Sequence, residues 1–381
     1  MVQDPSESSL QIPLAKPEIT DADRHAVADV LQTTSLSMGP RMPAFEQAMA
    51  DYLLSPLAVV VNSGTSALHL AVKCLNLPRG AEVVIPSFSF SAVLNVLLQE
   101  GLQPAFADID AATLNLTAAT VEAALGERAG AILAVHTFGR PAPLGELRTI
   151  SRKRGIPLLE DACEALGAEV EGAKVGSLGD AGVLAFYPNK QVTTGEGGML
   201  VTSDHELAEH ARRLRNQGRD ASLDWFQHVE LGYSYRLSEI NCALGLSQLG
   251  RIEQIVRRRQ ELAAMYDTKL AGINGVVRPP LTVEGGRISW FCYVVQLPEW
   301  VDAAGRDLIS KEMLRAGIQT GRYFPPLHRQ PVMRESLPVD LPVTDFVSAR
   351  CLALPFFNQL AQEEIEYVCE TLARALGQAG K

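Results

Sequence analysis

No apolar run in the 381-residue sequence approaches the ~20 residues that a membrane-spanning helix requires. The N-terminus, MVQDPSESSLQIPLAKPEI, is polar and proline-containing and lacks the apolar core of a secretory leader. A cytoplasmic location is the expectation. Cysteine is sparse: six residues, at 74, 163, 242, 292, 351 and 369, with no CxxC pair. This excludes a dense disulfide framework and leaves reduced residues in apolar surroundings. An excess of positive charge is missing too. A net charge of −10 argues against nucleic acid or an anionic membrane as the main partner. The arginines at 212, 213, 215 and 257–259 read as charge on helix surfaces. Neither a Walker loop nor a GxGxxG turn is present, which weakens nucleoside-triphosphate and dinucleotide readings. Internal repeats and low-complexity tracts are absent.

What is present is a core. Hydrophobic residues make up 47% and charged residues 20%, the balance of a globular enzyme. Seven apolar runs alternate with helical patterns: LAVVVN (57–62), EVVIP (82–86), PAFADI (104–109), AILAVH (131–136), IPLLED (156–161), GVLAFY (182–187) and GMLVTS (198–203). Continuous Val/Ile/Leu runs separated by helices predict an α/β fold: a mainly parallel seven-stranded sheet covered on both faces. Ligands of such sheets bind beyond the carboxyl ends of the strands. A long helix is expected from Leu237 to about Leu270, leaving the large domain. A strand at WFCYVVQL (290–297) and helical periodicity around 304–315 follow. The expected organisation is a flexible stretch over 1–15, a large domain over 16–250 and a smaller C-terminal α+β domain over 251–381. Residues 16–55 are expected to pack partly with the small domain.

Four stretches could carry chemistry, and each also has an ordinary structural reading. Lys190 ends the run AGVLAFYPNK; a desolvated lysine is an amine nucleophile, whereas most strand-end lysines merely face water. LLEDACEALG (158–167) puts Glu160 and Asp161 at a strand end, where an acid reaches the ligand crevice or caps a helix. NSGTSALHLA (62–71) places Gly64, Thr65 and Ser66 at a helix start, where amides and hydroxyls suit a phosphate or serve as plain N-caps. PSFSFSA (86–92) supplies Phe88 and Phe90, for stacking on a flat ring or for the core. HELAEH (205–210) is a decoy for a metal site: histidines five apart on a helix stand about 140° apart around it. No metal is expected. A phosphate cup, an aromatic, an acid and a lysine thus follow one another at successive strand ends, in the order of fold type I pyridoxal phosphate enzymes.

The sequence resembles the DegT/StrS-type nucleotide-sugar aminotransferases of the aspartate aminotransferase superfamily. The motifs run from IPLAKPEI (12–19) and GPRMPAFE (39–46) through FADID, LLEDACEALGA, GSLGDAG, NKQVTTGEGGML and LGYSYRLSEINCALGL to YFPPLH (323–328). The resemblance implies that Lys190 holds pyridoxal phosphate (PLP) covalently and moves the proton at the donor's α-carbon. It implies that Gly64, Thr65 and Ser66 hold the phosphate, Phe90 stacks on the ring, Asp161 meets the ring nitrogen and Glu164 lies near the ring hydroxyl. It places Ser234, from GYSYR, in a neighbouring subunit's phosphate site, and Tyr323 and His328 at the substrate. The implied reaction moves an amino group from an amino acid, usually glutamate, to a nucleotide-linked keto sugar, in a homodimer with shared sites. The TTGEGG after Lys190 favours carbon 4 of a 6-deoxy-4-keto sugar over carbon 3. Lys190 speaks against the related dehydratases, which carry His there; Lys190 and Asp161 together speak against a non-catalytic homologue. The sequence departs from the family twice: Ala185 stands where a phosphate-binding Ser is usual, and Ser234 where Asn is usual.

Overall fold

The computed structural model describes residues 12–220, 227–334 and 338–379. Seven strands form one sheet. In chain order they are β1 (Leu57–Val61), β2 (Glu82–Pro86), β3 (Gln103–Ala107), β4 (Ala129–Val135), β5 (Leu158–Asp161), then, after a small hairpin of β6 (Glu169–Val170) and β7 (Ala173–Lys174), β8 (Ala181–Ala185) and β9 (Gly198–Thr202). Their spatial order is β1-β9-β8-β5-β4-β2-β3, and only β9 runs against its neighbours. Pleating sends alternate residues to opposite faces, so both faces of such strands must be apolar. In β1, Ala58 and Val60 join one core while Val59 and Val61 join the other; Leu158 and Leu159 divide the same way in β5.

The second domain is built on a two-stranded antiparallel sheet, β10 (Tyr293–Gln296) with β11 (Cys351–Leu354), packed under the helices Ala303–Arg315 and Gln362–Ala379. The strand expected at 290–297 is thus shorter at both ends. Between the domains lies an aromatic cluster that includes Phe88, Phe138, Phe291 and Phe324.

Two expectations change. The long helix expected over 237–270 is two helices, Glu239–Leu249 and Ile252–Leu270. The break falls at Gly250 and Arg251, where the Arg251 guanidinium turns away to Asp23 (2.9 Å) and to the Glu18 carbonyl (2.7 Å). Arg251 itself leaves helical geometry, with φ −123° and ψ 15°, as its side chain reaches these partners. The flexible stretch expected to run to residue 15 is anchored by Ile12: this residue is fully buried, and its backbone bonds Gly317 and Gln319. Residues 1–11 lie outside the described residues. Within 16–55, the helices Asp21–Leu31 and Arg41–Leu53 pack on Glu239–Leu249, and Glu18 accepts a bond from Asn358 of the small domain.

Candidate active site

Strand alternation separates the two acids at the end of β5. Glu160 turns to the interior, where the amides of Gly176, Leu178 and Gly179 donate to it at 2.7, 2.6 and 2.5 Å. His136 Nε2 donates to it at 3.1 Å, while the Ala142 amide donates to His136 Nδ1. Burial alone would raise the Glu160 pKa; these bonds outweigh it and hold the carboxyl below its ordinary range. Asp161 takes the other side, lines a cavity of about 390 Å3, and accepts the Cys163 amide at 3.0 Å.

Lys190 lies five residues beyond β8, in the loop joining β8 to antiparallel β9. Its amide donates to the Tyr187 carbonyl, and the Phe186–Gly197 and Thr194–Phe186 backbone bonds close the loop. The Lys190 ammonium stands 3.6 Å from Glu164 Oε1 and 3.9 Å from the centre of the Phe291 ring. Glu164 Oε2 accepts the Phe138 amide at 3.0 Å. Burial pushes the Glu164 carboxyl above its ordinary pKa, against the downward pull of Lys190 and the Phe138 amide. Gln191, next to Lys190, donates to the carbonyls of Glu164 and Ser289 at 2.7 and 2.8 Å and so ties the loop to the small domain.

One end of the cavity is the start of the helix Gly64–Cys74. Ser63 caps it, its hydroxyl accepting the Ser66 amide at 3.0 Å. The first amides of a helix have no partner within it, and Gly64 and Thr65 carry them at the cavity wall. A Cβ on Gly64 would stand 2.6 Å from the Ala185 Cβ, so only glycine lets this turn close on β8. Ser66 is not at the wall: its hydroxyl donates to Asn62 at 2.7 Å, and Ser63 stands in its place.

Of the other expected residues, Phe90 (60% exposed) and Tyr323 line the cavity, whereas Phe88 is buried in the interdomain cluster. Ser234 lies outside the cavity formed by its own chain, exposed, with its hydroxyl accepting from Arg236. His328 is also outside, with its side chain (3% exposed) against Ser87 and Asp345. Ala185 does line the cavity. Sequence reasoning missed Phe291 and Phe324 because both sit in segments that read only as a strand and a loop. Ser63, visible in NSGT, was not singled out there. In the HELAEH stretch, His210 pairs with Glu230 at 2.8 Å.

An ammonium, a carboxylate opposite it, helix-start amides at one end and aromatic walls around them make a donor set that fits PLP. Asp161 would hold the ring nitrogen, the amides of Gly64 and Thr65 the phosphate, and Lys190 the carbonyl carbon. The cofactor, when bound, supplies an electron sink for an amino acid's α-carbon. Together with the mainly parallel sheet, this defines a fold type I PLP enzyme.

Comparison with known proteins gives the particular group. Residues 17–373 match the DegT/DnrJ/EryC1/StrS aminotransferase family, and the chain belongs to it. GDP-perosamine synthase of Caulobacter vibrioides is 35% identical over 369 residues, covering 96% of this chain and 98% of that protein. The dTDP-4-dehydro-2,3,6-trideoxy-D-glucose 4-aminotransferase of Saccharopolyspora spinosa is 34% identical over 378 residues, covering 96% of this chain and 97% of that protein. Spr1654 of Streptococcus pneumoniae, solved in PLP and PMP forms, superposes with a TM-score of 0.91 at 26% identity, covering 97% of this chain and 98–100% of the other. The protein is a PLP-dependent aminotransferase.

Proposed function

We propose that this enzyme transfers an amino group from glutamate to carbon 4 of a nucleotide-linked 6-deoxy-4-keto sugar, for amino-sugar and polysaccharide biosynthesis. The observation that carries the reading is the convergence of Lys190 and Asp161 on one cavity below the Gly64–Thr65 helix start. The likeness to GDP-perosamine synthase and to a sugar 4-aminotransferase supports the substrate class. Lys190 is the cofactor lysine and moves the proton at the donor's α-carbon, general acid–base work that a confined amine performs well. Asp161 keeps the ring nitrogen charged, and Glu164, held between the Phe138 amide and Lys190, faces the ring hydroxyl. The aromatic walls exclude water from the reacting carbon.

The working unit is a homodimer. Ser234 is exposed and does not line the cavity of its own chain, which supports the reading that its segment completes the phosphate site of a second copy. The test is incubation of the holoenzyme with glutamate and UDP-, GDP- and dTDP-linked 4-keto and 3-keto sugars, followed by mass detection. Amination of a 3-keto sugar alone would move the reaction to carbon 3. Borohydride reduction is expected to fix the cofactor on the Lys190 peptide; fixation at Lys174 overturns the site.

A further inference from the structure

The cavity has two lips. One is the loop after β2, which brings Ser89 and Phe90 to the wall; the other is the small-domain segment that brings Tyr323 and Phe324. Two residues before Ser89 and four after Phe324, the lips are joined. The Ser87 hydroxyl lies 2.6 Å from His328 Nδ1 and accepts the His328 amide at 3.1 Å; the Ser87 carbonyl accepts the Leu327 amide at 2.8 Å. We propose that Ser87 and His328 form a clasp that positions the two lips, and that His328 governs sugar binding through this clasp rather than by touching substrate.

In the clasp the Ser87 oxygen accepts the His328 amide and its own proton goes to Nδ1. The imidazole is then neutral, with its remaining proton on Nε2, which is buried 3.4 Å from Asp345 Oδ1 without a hydrogen bond. Asp345 is held by Arg329 at 2.6 Å and lies on the helix Pro342–Ser348. The start of that helix is fastened to the end of β3, where Asp108 accepts the amides of Val343 and Thr344 and the Thr344 hydroxyl at 3.0, 2.8 and 2.7 Å. The small-domain lip is therefore tied to two neighbouring strand ends. Phe88 fills the space behind the clasp, with its ring 5.8 Å from Phe324 and 6.0 Å from Phe138.

The order Ser87–His328–Asp345 resembles a hydrolase relay, but its geometry does not allow one. Ser87 is 0% exposed, and its oxygen already accepts one bond while its proton serves another. No substrate carbon reaches it. A positioning role uses the same bonds without needing access.

The consequence for KM rests on the reading of this cavity as the sugar site; the clasp itself does not. Both are tested on holoenzyme with His328→Ala, Ser87→Ala and His328→Asn, the last keeping an acceptor near the Nδ1 position. Amide hydrogen exchange in the peptides covering 87–92 and 323–334 should speed up about tenfold in the two alanine variants and stay near wild type in His328→Asn, the size expected for losing an ordinary hydrogen bond. KM for the nucleotide sugar should rise about tenfold in the alanine variants, with kcat and PLP affinity within about threefold. Unchanged exchange in Ser87→Ala, which removes only the hydroxyl, overturns the clasp even if His328→Ala does not fold. A His328→Asn variant that loses kcat as severely as His328→Ala shows that the imidazole acts directly and also overturns it. A wild-type enzyme that turns over no nucleotide sugar defeats the sugar reading alone, because the exchange result stands apart from it.

Discussion

The floor and the roof of the cavity are built on different principles. The floor belongs to the large domain: Gly64 after β1, Asp161 at the end of β5, and Ala185 and Lys190 on and after β8. Gly64, Asp161 and Ala185 are set by strand register within a seven-stranded ladder, and Lys190 by the bonded loop between β8 and β9. The roof comes from the small domain: Phe291, Tyr323 and Phe324, held by ring contacts and by bonds such as Gln191 to the Ser289 carbonyl and Ser87 to His328. Charged chemistry concentrates in the floor, where placement is rigid, and apolar enclosure in the roof. Substitutions in the floor should therefore change the rate of chemistry or cofactor affinity, and substitutions in the roof should change substrate affinity.

The largest effect tests the floor outright. Lys190→Ala should lower turnover by about 10^4-fold while circular dichroism shows an intact fold. Substantial residual turnover would erase the distinction between floor and roof. Asp161→Ala should slow α-proton exchange of the donor, read by deuterium wash-in, by about 10^2-fold or more, because an uncharged ring is a weaker electron sink. Near-normal wash-in would reduce Asp161 to a cap for the Cys163 amide. A gain is expected from Ala185→Ser, whose hydroxyl would stand beside the Gly64 turn: PLP affinity should tighten about tenfold, one charge-assisted bond's worth. If titration of the apoenzyme shows no tightening, the phosphate cup is already complete.

The smallest effect sharpens the roof. Burial holds the His328 pKa below its ordinary value near 6.5; Arg329 adds to this, while Asp345 and Asp108 oppose it. With the folded pKa depressed, the neutral clasp is intact above the unfolded pKa. Its contribution is lost as pH falls from about 6.5 through the lower folded value. KM for the sugar should accordingly rise about threefold on acidification below that range. The same titration of His328→Asn should be flat; a matching rise there would assign the pH dependence to another group.

The same division explains what could be read from the sequence. The seven strands were legible because both faces are buried and each run is continuously apolar. Asp161 was legible because a polar residue ending such a run has few places to go, and Lys190 because it follows the last parallel run in a loop of threonines and glycines. Pleating alone, however, does not say which of two adjacent acids faces the cavity; Glu160 is excluded only by the three amides and the imidazole that claim it. Ser63 and Ser66 share one turn of helix and their hydroxyls bond each other at 2.9 Å, while Ser66 turns to Asn62, a bond that no local pattern announces. His328 looked like a substrate contact because it follows Tyr323 in one motif, yet five residues of chain carry it from the cavity wall to the back of the lip. Phe291 is set by contacts between distant segments: its amide bonds the Phe138 carbonyl, and its carbonyl accepts from Arg259. Periodicity reports burial, but not which remote surface a residue is buried against.

The helix Ile252–Leu270 belongs to both domains. Ile252 and Val256 sit in the large-domain core, Leu262, Ala263, Tyr266 and Leu270 in the small-domain core, and Arg259 between them grips the carbonyls of Trp290 and Phe291. Neither core can melt without exposing one half of this helix and loosening the other. Two-domain chains often lose their domains in separate steps, but here a shared rod couples the two cores, alongside the aromatic cluster and the bonds that join the domains. Heat should remove both cores in one calorimetric transition. A glycine placed near the middle of the rod, as in Gln260→Gly, should cost only about 1 kcal/mol locally yet begin to split that transition in two.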